Sequence, residues 1–135
     1  MAGEYLKRPC LLVVDGSRVC LDACWGALGQ DYDLVACNGG EAAFRMLETA
    51  GMDAVIVGRD MDGIGYLYAK GQGVHKEIPA LKISWNMGPD EEELALFYGA
   101  RGYLKAPFGT EDLREKIEIL LGCPSSPTRK NQGKT

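Results

Sequence analysis

The chain has 135 residues, of which 46% are hydrophobic, which is enough for one substantial core and too little for two domains. Its formal net charge is −4 with both signs interspersed, so it lacks the basic stripe that neutralises nucleic-acid phosphates, and no nucleic-acid partner is expected. The first apolar run, residues 10–14, is too short for a signal-peptide core or a membrane span, so we expect no membrane association and a cytoplasmic location.

Five short apolar runs are predicted to be buried strands. Each has the length of a strand rather than a helix, and each is bounded by Gly, Pro, Asp or Asn. In chain order they cover residues 10–14, 34–37, 54–57, 80–83 and 103–104.

Four segments between or after these strands space their apolar residues as amphipathic helices do. The four sets are Val19, Ala23, Trp25 and Leu28; Ala43, Met46, Leu47 and Ala50; Leu94, Phe97 and Tyr98; and Leu113, Ile117, Leu120 and Leu121. Residues that favour helix starts or ends flank them, namely Ser17, Pro89, Asp90 and Thr110 at the starts and Gly51, Gly99 and Gly122 at the ends. One more helix, the third in chain order over 64–74, is predicted to be short, because each of its glycines costs about 1 kcal/mol relative to alanine.

The alternation of strands and helices predicts a doubly wound α/β fold. Short connections between apolar strands favour a parallel sheet with helices on both faces. In such sheets, ligands and chemistry gather beyond the carboxyl ends of the strands. Functional residues are therefore expected in the loops after Val14, Val57, Ile83 and Leu104.

A single domain is expected to occupy residues 9–122, after a charged lead of residues 1–8. The last segment, 123–135, contains Arg129, Lys130 and Lys134 but no acid. We expect a flexible basic tail there, which is either a frayed end or linker, or a basic docking segment.

Four stretches of the domain resemble the receiver domain of response regulators, the chemotaxis-regulator-like fold. In order they read LLVVDGS, ACNGGEAAFRMLETAGMDAVIVG, MDG and GARGYLKAPF. The resemblance implies a flavodoxin-like receiver fold, with five helices around a five-stranded parallel sheet in the order 2-1-3-4-5.

The resemblance also implies a phosphorylation site, from which this chain departs. In the family, two acids after the first strand hold Mg²⁺; here the two positions are Asp15 and Gly16, so one ligand is missing. Gly58 stands at the place of the phosphoacceptor aspartate that ends the third strand. Ala106 stands at the place of the lysine before the proline, and Lys105, one residue earlier, is expected to point away from the site.

Two further site residues of the family are retained. Ser84 matches the hydroxyl residue after the fourth strand, and Tyr103 matches the aromatic switch on the fifth. The losses fall on the nucleophile, the metal and the counter-charge, all of which phosphoryl transfer needs. The sequence therefore predicts a phosphorylation-independent receiver that is not an enzyme, takes no cofactor or metal, and acts in signalling by binding proteins.

Three alternatives remain open from the residues. Asp60 or Asp62, in a loop shorter than the family's, could be a displaced phosphoacceptor with a rebuilt Mg²⁺ site, and Arg59 could instead pair with Asp15. A small-ligand or redox module on the same frame is the weaker alternative, because no phosphate-binding glycine loop is present.

The predicted partner surface is the face of the fourth helix, the fifth strand and the fifth helix, which carries the output in the family. Its acidic stretch over 90–93 predicts a partner with basic residues, and the same face could support a two-fold homodimer. The candidate contact residues are Trp85, Asp90, Glu91, Glu92, Leu94, Tyr98, Tyr103 and Lys105, with the outer side of 111–118.

The five cysteines and the single histidine are predicted to have no chemical role. Cys10, Cys20, Cys24, Cys37 and Cys123 lack the paired spacing of a zinc site and are interpreted as reduced core residues. A redox or metal pair at Cys20 and Cys24, four residues apart on one helix, has poor disulfide geometry and too few ligands. His75 is expected to be exposed.

Overall fold

The computed structural model describes residues 8–15, 17–38, 40–49, 51–58, 77–84, 90–97 and 99–122. Several predictions lie outside these described residues, and they concern Gly16, Arg59, Asp60, Asp62, His75, Trp85, Tyr98, Cys123, the third helix and the basic tail.

Five parallel strands form the sheet in this described part of the chain. They are β1 (Cys10–Val14), β2 (Asp33–Cys37), β3 (Ala54–Val57), β4 (Ala80–Ser84) and β5 (Gly102–Lys105). The strand order is β2-β1-β3-β4-β5, and every neighbouring pair is parallel. The predicted sheet and its order are confirmed, and each predicted strand lies within one residue of the observed bounds at either end.

Four helices of the described ranges flank the sheet. They are α1 (Arg18–Leu28), α2 (Gly40–Thr49), α3 (Glu91–Phe97) and α4 (Thr110–Leu121), which correspond to the predicted first, second, fourth and fifth helices. The described residues therefore contain four of the five predicted helices, because the segment predicted as the third helix falls outside them. None of these four helices is long and apolar enough to cross a lipid bilayer.

The helix ends follow local chemistry. Ser17 caps α1, since its side chain accepts a hydrogen bond from the backbone N–H of Cys20 at 3.5 Å. Gly122 ends α4 with a φ of 71°, a left-handed conformation that favours glycine. Thr110 is not the cap of α4 but its first residue; Gly109 precedes it and donates its N–H to Asp112 Oδ2 at 2.9 Å.

The core has two layers, one on each face of the sheet. Because side chains alternate along a strand, Leu11 and Val13 of β1 face one layer and Leu12 and Val14 face the other. Helices α1 and α4 cover the first face, and α2 and α3 cover the second. The domain is thus doubly wound, as predicted.

The buried face of helix α1 differs from the face that the spacing of its large apolar residues predicted. Val19 and Trp25 are 57% and 42% exposed. The buried residues are Cys20, Cys24, Ala27 and Leu28, which follow the spacing of a single helical face. The small cysteines pack in the core, as predicted, and the bulky Trp25 lies outside it.

Candidate functional site

The carboxyl ends of β1, β3, β4 and β5 bring five of the predicted site residues to one edge of the sheet. Parallel registers align Val14 with Val57, Val57 with Lys82, and Lys82 with Tyr103, so one row of residues runs across all four strands. Asp15, Gly58, Ser84 and Ala106 lie at or just beyond the strand ends, and Tyr103 lies on β5. All five are buried.

Asp15 lies directly against Gly58. Its side chain is buried, and its Oδ1 accepts a hydrogen bond from the backbone N–H of Ser17 at 2.8 Å. A Cβ placed on Gly58 would lie 1.8 Å from Asp15 Oδ2 and 2.7 Å from Asp15 Cβ. Position 58 therefore has no room for a side chain while Asp15 keeps this position.

Lys82 supplies a buried cation at this edge, a role that the sequence did not reveal. Its residue exposure is 4%, and its Nζ donates to the carbonyl oxygens of Gly58 at 3.2 Å and Ile83 at 2.9 Å. Burial lowers the pKa of Lys82, while the neighbouring Glu91 and Asp15 carboxylates act in the opposite direction. The ammonium thus comes from the interior of β4, whereas Ala106 is buried without charge and Lys105 is exposed.

Glu91, the first residue of α3, turns its carboxylate towards the site. Oε1 accepts hydrogen bonds from the hydroxyls of Ser84 and of Tyr103, the latter at 3.3 Å. Oε2 lies 3.5 Å from Lys82 Nζ. Glu91 was predicted to contact a partner, but its side chain is only 20% exposed and is engaged inside the domain.

Tyr103 has its side chain inside the domain, a point that the sequence left undecided. The residue is 8% exposed, and its hydroxyl points to Glu91. Burial raises the pKa of the Tyr103 hydroxyl, and the negative charge of Glu91 raises it further.

These contacts make a hydrogen-bonded network. Two hydroxyls and one ammonium converge on Glu91, which ties α3 to β4 and β5. The described ranges hold no group of three or more His, Cys, Asp or Glu side chains that could bind a metal ion. The network fixes the position of α3 against β4 and β5, and the charges of Lys82 and Glu91 neutralise each other.

The other described candidates for partner contact are at the surface. Asp90, Glu92 and Lys105 are exposed. Leu94 and Phe97 of α3 are 45% and 78% exposed, although their spacing had placed them on an apolar helix face. The outward side of α3 is therefore both acidic and apolar.

Cys20 and Cys24 do not have the properties of a reactive pair. Both are fully buried. Their mutual hydrogen bond and their burial raise the pKa of Cys20 far above that of a free thiol. A thiol of this kind is a poor nucleophile and a poor metal ligand.

Comparison with known proteins agrees with this fold. No protein-family model matches the chain. Chemotaxis protein CheY1 of Helicobacter pylori is 31% identical over 119 residues, which cover 83% of this chain and 96% of that protein. Heme response regulator HssR of Staphylococcus aureus is 26% identical over 113 residues, which cover 83% of this chain and 50% of that protein.

Solved structures give the same fold. Chemotaxis protein CheY4 of Vibrio cholerae superposes with a TM-score of 0.75 at 23% identity, covering 84% of this chain and 99% of that one. A response regulator from Thermotoga maritima gives a TM-score of 0.77 at 20% identity, with 86% and 99% coverage. The relationship to CheY1 shows that the chain belongs to the CheY-like receiver family of response regulators in two-component signal transduction.

Proposed function

We propose that this receiver domain does not accept a phosphoryl group and that it signals by binding proteins. The observation that carries the proposal is the contact between Asp15 and Gly58. Gly58 stands where the resemblance places the phosphoacceptor, and glycine offers no nucleophile. The space that an aspartate side chain would need is filled by Asp15, whose Oδ2 lies 1.8 Å from the Cβ position.

The contacts of the Lys82 ammonium support the same proposal. Phosphoryl transfer depends on a nucleophile, a metal and a counter-charge that meet the developing negative charge. Lys82 Nζ is already bound by two backbone carbonyls and by Glu91. An incoming phosphoryl group would have to displace Glu91 before this ammonium could neutralise it.

The proposed binding surface is the face made by α3, β5 and α4. Leu94 and Phe97 give it exposed apolar area, and Glu92 and Glu93 give it negative charge. Interfaces bind through a few buried apolar anchors and use charge to select partners. The partner of this proposal is therefore a protein with an apolar pocket and basic residues beside it, in the cytoplasm, and the domain itself is not an enzyme.

The proposal is tested by titrating the purified chain with Mg²⁺ and beryllofluoride and following backbone amide chemical shifts. We expect no saturable shifts at Asp15, Gly58 or Ser84. Saturable shifts that extend to Tyr103 would overturn the proposal. Asp60→Asn and Asp62→Asn variants would then identify which displaced carboxylate had accepted the ligand.

A further inference from the structure

We propose that the Glu91 carboxylate is an internal anion that occupies an oxyanion-binding cradle formed by Lys82, Ser84 and Tyr103. This inference rests on the proposed function and deepens it. It names the group that fixes the conformation of the proposed binding face when no phosphoryl group is bound. It also assigns a ligand class to the cradle: a small carboxylate or other oxyanion, once the Glu91 side chain is removed.

The donors are arranged as they would be around a bound oxyanion. One hydrogen bond comes from the Ser84 hydroxyl, a second from the Tyr103 hydroxyl at 3.3 Å, and the Lys82 ammonium lies 3.5 Å from the other oxygen. An ionised carboxylate is acceptor-only, and its two oxygens can receive several donors at once. Glu91 uses both oxygens.

The cradle belongs to the sheet and the anion comes from a helix. Lys82 and Ser84 are two residues apart on β4 and therefore share a face, and Tyr103 is the register partner of Lys82 on β5. These three residues are 4%, 1% and 8% exposed. Glu91 reaches them from the first turn of α3, whereas its neighbours Glu92 and Glu93 are exposed.

This arrangement ties the orientation of Tyr103 to α3. Turning the Tyr103 hydroxyl out of the domain would break its hydrogen bond to Glu91, so the carboxylate favours the inward position. Because β5 and α3 both belong to the proposed binding face, Glu91 fixes that face in a single conformation. A bound phosphoryl group is not needed to hold it.

Chemical rescue of Glu91→Ala by formate tests the inference. Removing the carboxylate opens the cradle, so we expect the amide and ring signals of Lys82, Ser84 and Tyr103 to shift. Formate should then bind saturably and return these signals towards their wild-type positions, while sodium chloride at the same ionic strength should not. In a Ser84→Ala/Glu91→Ala chain, loss of one hydrogen bond should weaken formate binding by about tenfold.

The matched control is Glu92→Ala, which removes an exposed carboxylate from the next position of the same helix. It should leave the Tyr103 signals unchanged and show no saturable formate response. If Glu91→Ala behaves as this control does, Glu91 is only a structural side chain and the inference is wrong.

A second variant, Glu91→Gln, keeps the inference testable if Glu91→Ala fails to fold. Glu91→Gln keeps the size of the side chain and removes its charge, so the pKa of Tyr103 should fall towards its ordinary value. The measurement is the absorbance titration of each chain after subtraction of the matching Tyr103→Phe chain. An unchanged pKa overturns the inference. Beryllofluoride binding by the wild-type chain would instead overturn the proposed function, so the two failures are distinguishable.

Discussion

The two halves of the sheet's carboxyl edge, where the receiver family is phosphorylated, differ in their contacts in this chain. At the ends of β1 and β3 the space is closed, because Asp15 lies against Gly58. At the ends of β4 and β5 the two hydroxyls of Ser84 and Tyr103 remain, and they meet a carboxylate from α3. On the proposed function, Asp15 fills the site in one half and the Glu91 carboxylate is an internal anion in the other.

The largest effect should come from removing the cation of the β4–β5 half. Lys82→Met keeps an apolar stem of similar length but leaves Glu91 facing the buried site without its opposite charge. Breaking a buried ion pair on one side costs about 3 to 5 kcal/mol. We expect a loss of unfolding free energy near the lower value, measured by urea denaturation, because Glu91 is partly exposed.

Lys105→Met is the matched control, since Lys105 lies on the neighbouring strand and is exposed. Its unfolding free energy should change by less than about 0.5 kcal/mol. Equal effects of the two substitutions would show that the network around Lys82 contributes no more than surface charge does.

The next largest effect on stability tests the contact between Asp15 and Gly58 at the ends of β1 and β3. Gly58→Ala places a Cβ 1.8 Å from Asp15 Oδ2, and overpacking of this kind costs about 1 to 3 kcal/mol. An Asp15→Ala background removes the Oδ2 clash and leaves only the 2.7 Å approach to the Cβ of residue 15, so the same substitution should cost less there. A double-mutant cycle measured by thermal or urea unfolding gives the coupling between the two positions.

Gly26→Ala provides the reference for that cycle. Gly26 lies inside α1, and a Cβ there would meet no atom within 4 Å. The substitution should stabilise the chain by up to about 1 kcal/mol, as alanine does in helix interiors. A Gly58→Ala chain that gains stability in the same way would contradict the claim that Asp15 leaves no room for a side chain at position 58.

A smaller effect depends on pH. The pKa of Tyr103 is raised in the folded chain, so the folded state holds this proton more tightly than the unfolded state does. Unfolding free energy should therefore fall as pH rises through the ordinary tyrosine pKa of about 10 towards the folded value. Tyr103→Phe should flatten this decline relative to the wild-type chain, and parallel curves would contradict the assignment.

The smallest effect on stability belongs to the outward side of α3. Phe97 is 78% exposed, so Phe97→Ser should change the unfolding free energy by less than about 0.5 kcal/mol. If the face associates with itself, the same substitution should lower the apparent mass in sedimentation velocity. Glu48→Ser, at an exposed position of α2 outside the proposed binding face, is the control for that measurement.

The sequence was sufficient to predict the sheet because apolar runs with short connections leave few topologies. It also located Asp15, Gly58, Ser84 and Tyr103, since the family motifs end at defined points of the strands. The third helix and the tail stay predictions.

Lys82 was missed, and Glu91 was predicted only as a partner contact, because their meeting depends on tertiary structure. Lys82 looked like an interruption of an apolar strand, yet its position two residues before Ser84 places both on one face. A lysine in a buried strand needs an opposite charge, which was the available signal. Glu91 could not be separated from Glu92 and Glu93 by sequence, because only the position of α3 decides which of the three faces inward.

The most direct test of the central claim is a phosphorylation assay on the wild-type chain. The protein is incubated with acetyl phosphate and Mg²⁺, quenched in acid and weighed intact by mass spectrometry, beside a phosphorylatable CheY-like receiver as positive control. We predict that no species heavier by one phosphoryl group forms. A phosphorylated species, localised to Asp60, Asp62 or any other carboxylate, would contradict the claim that this receiver works without phosphorylation.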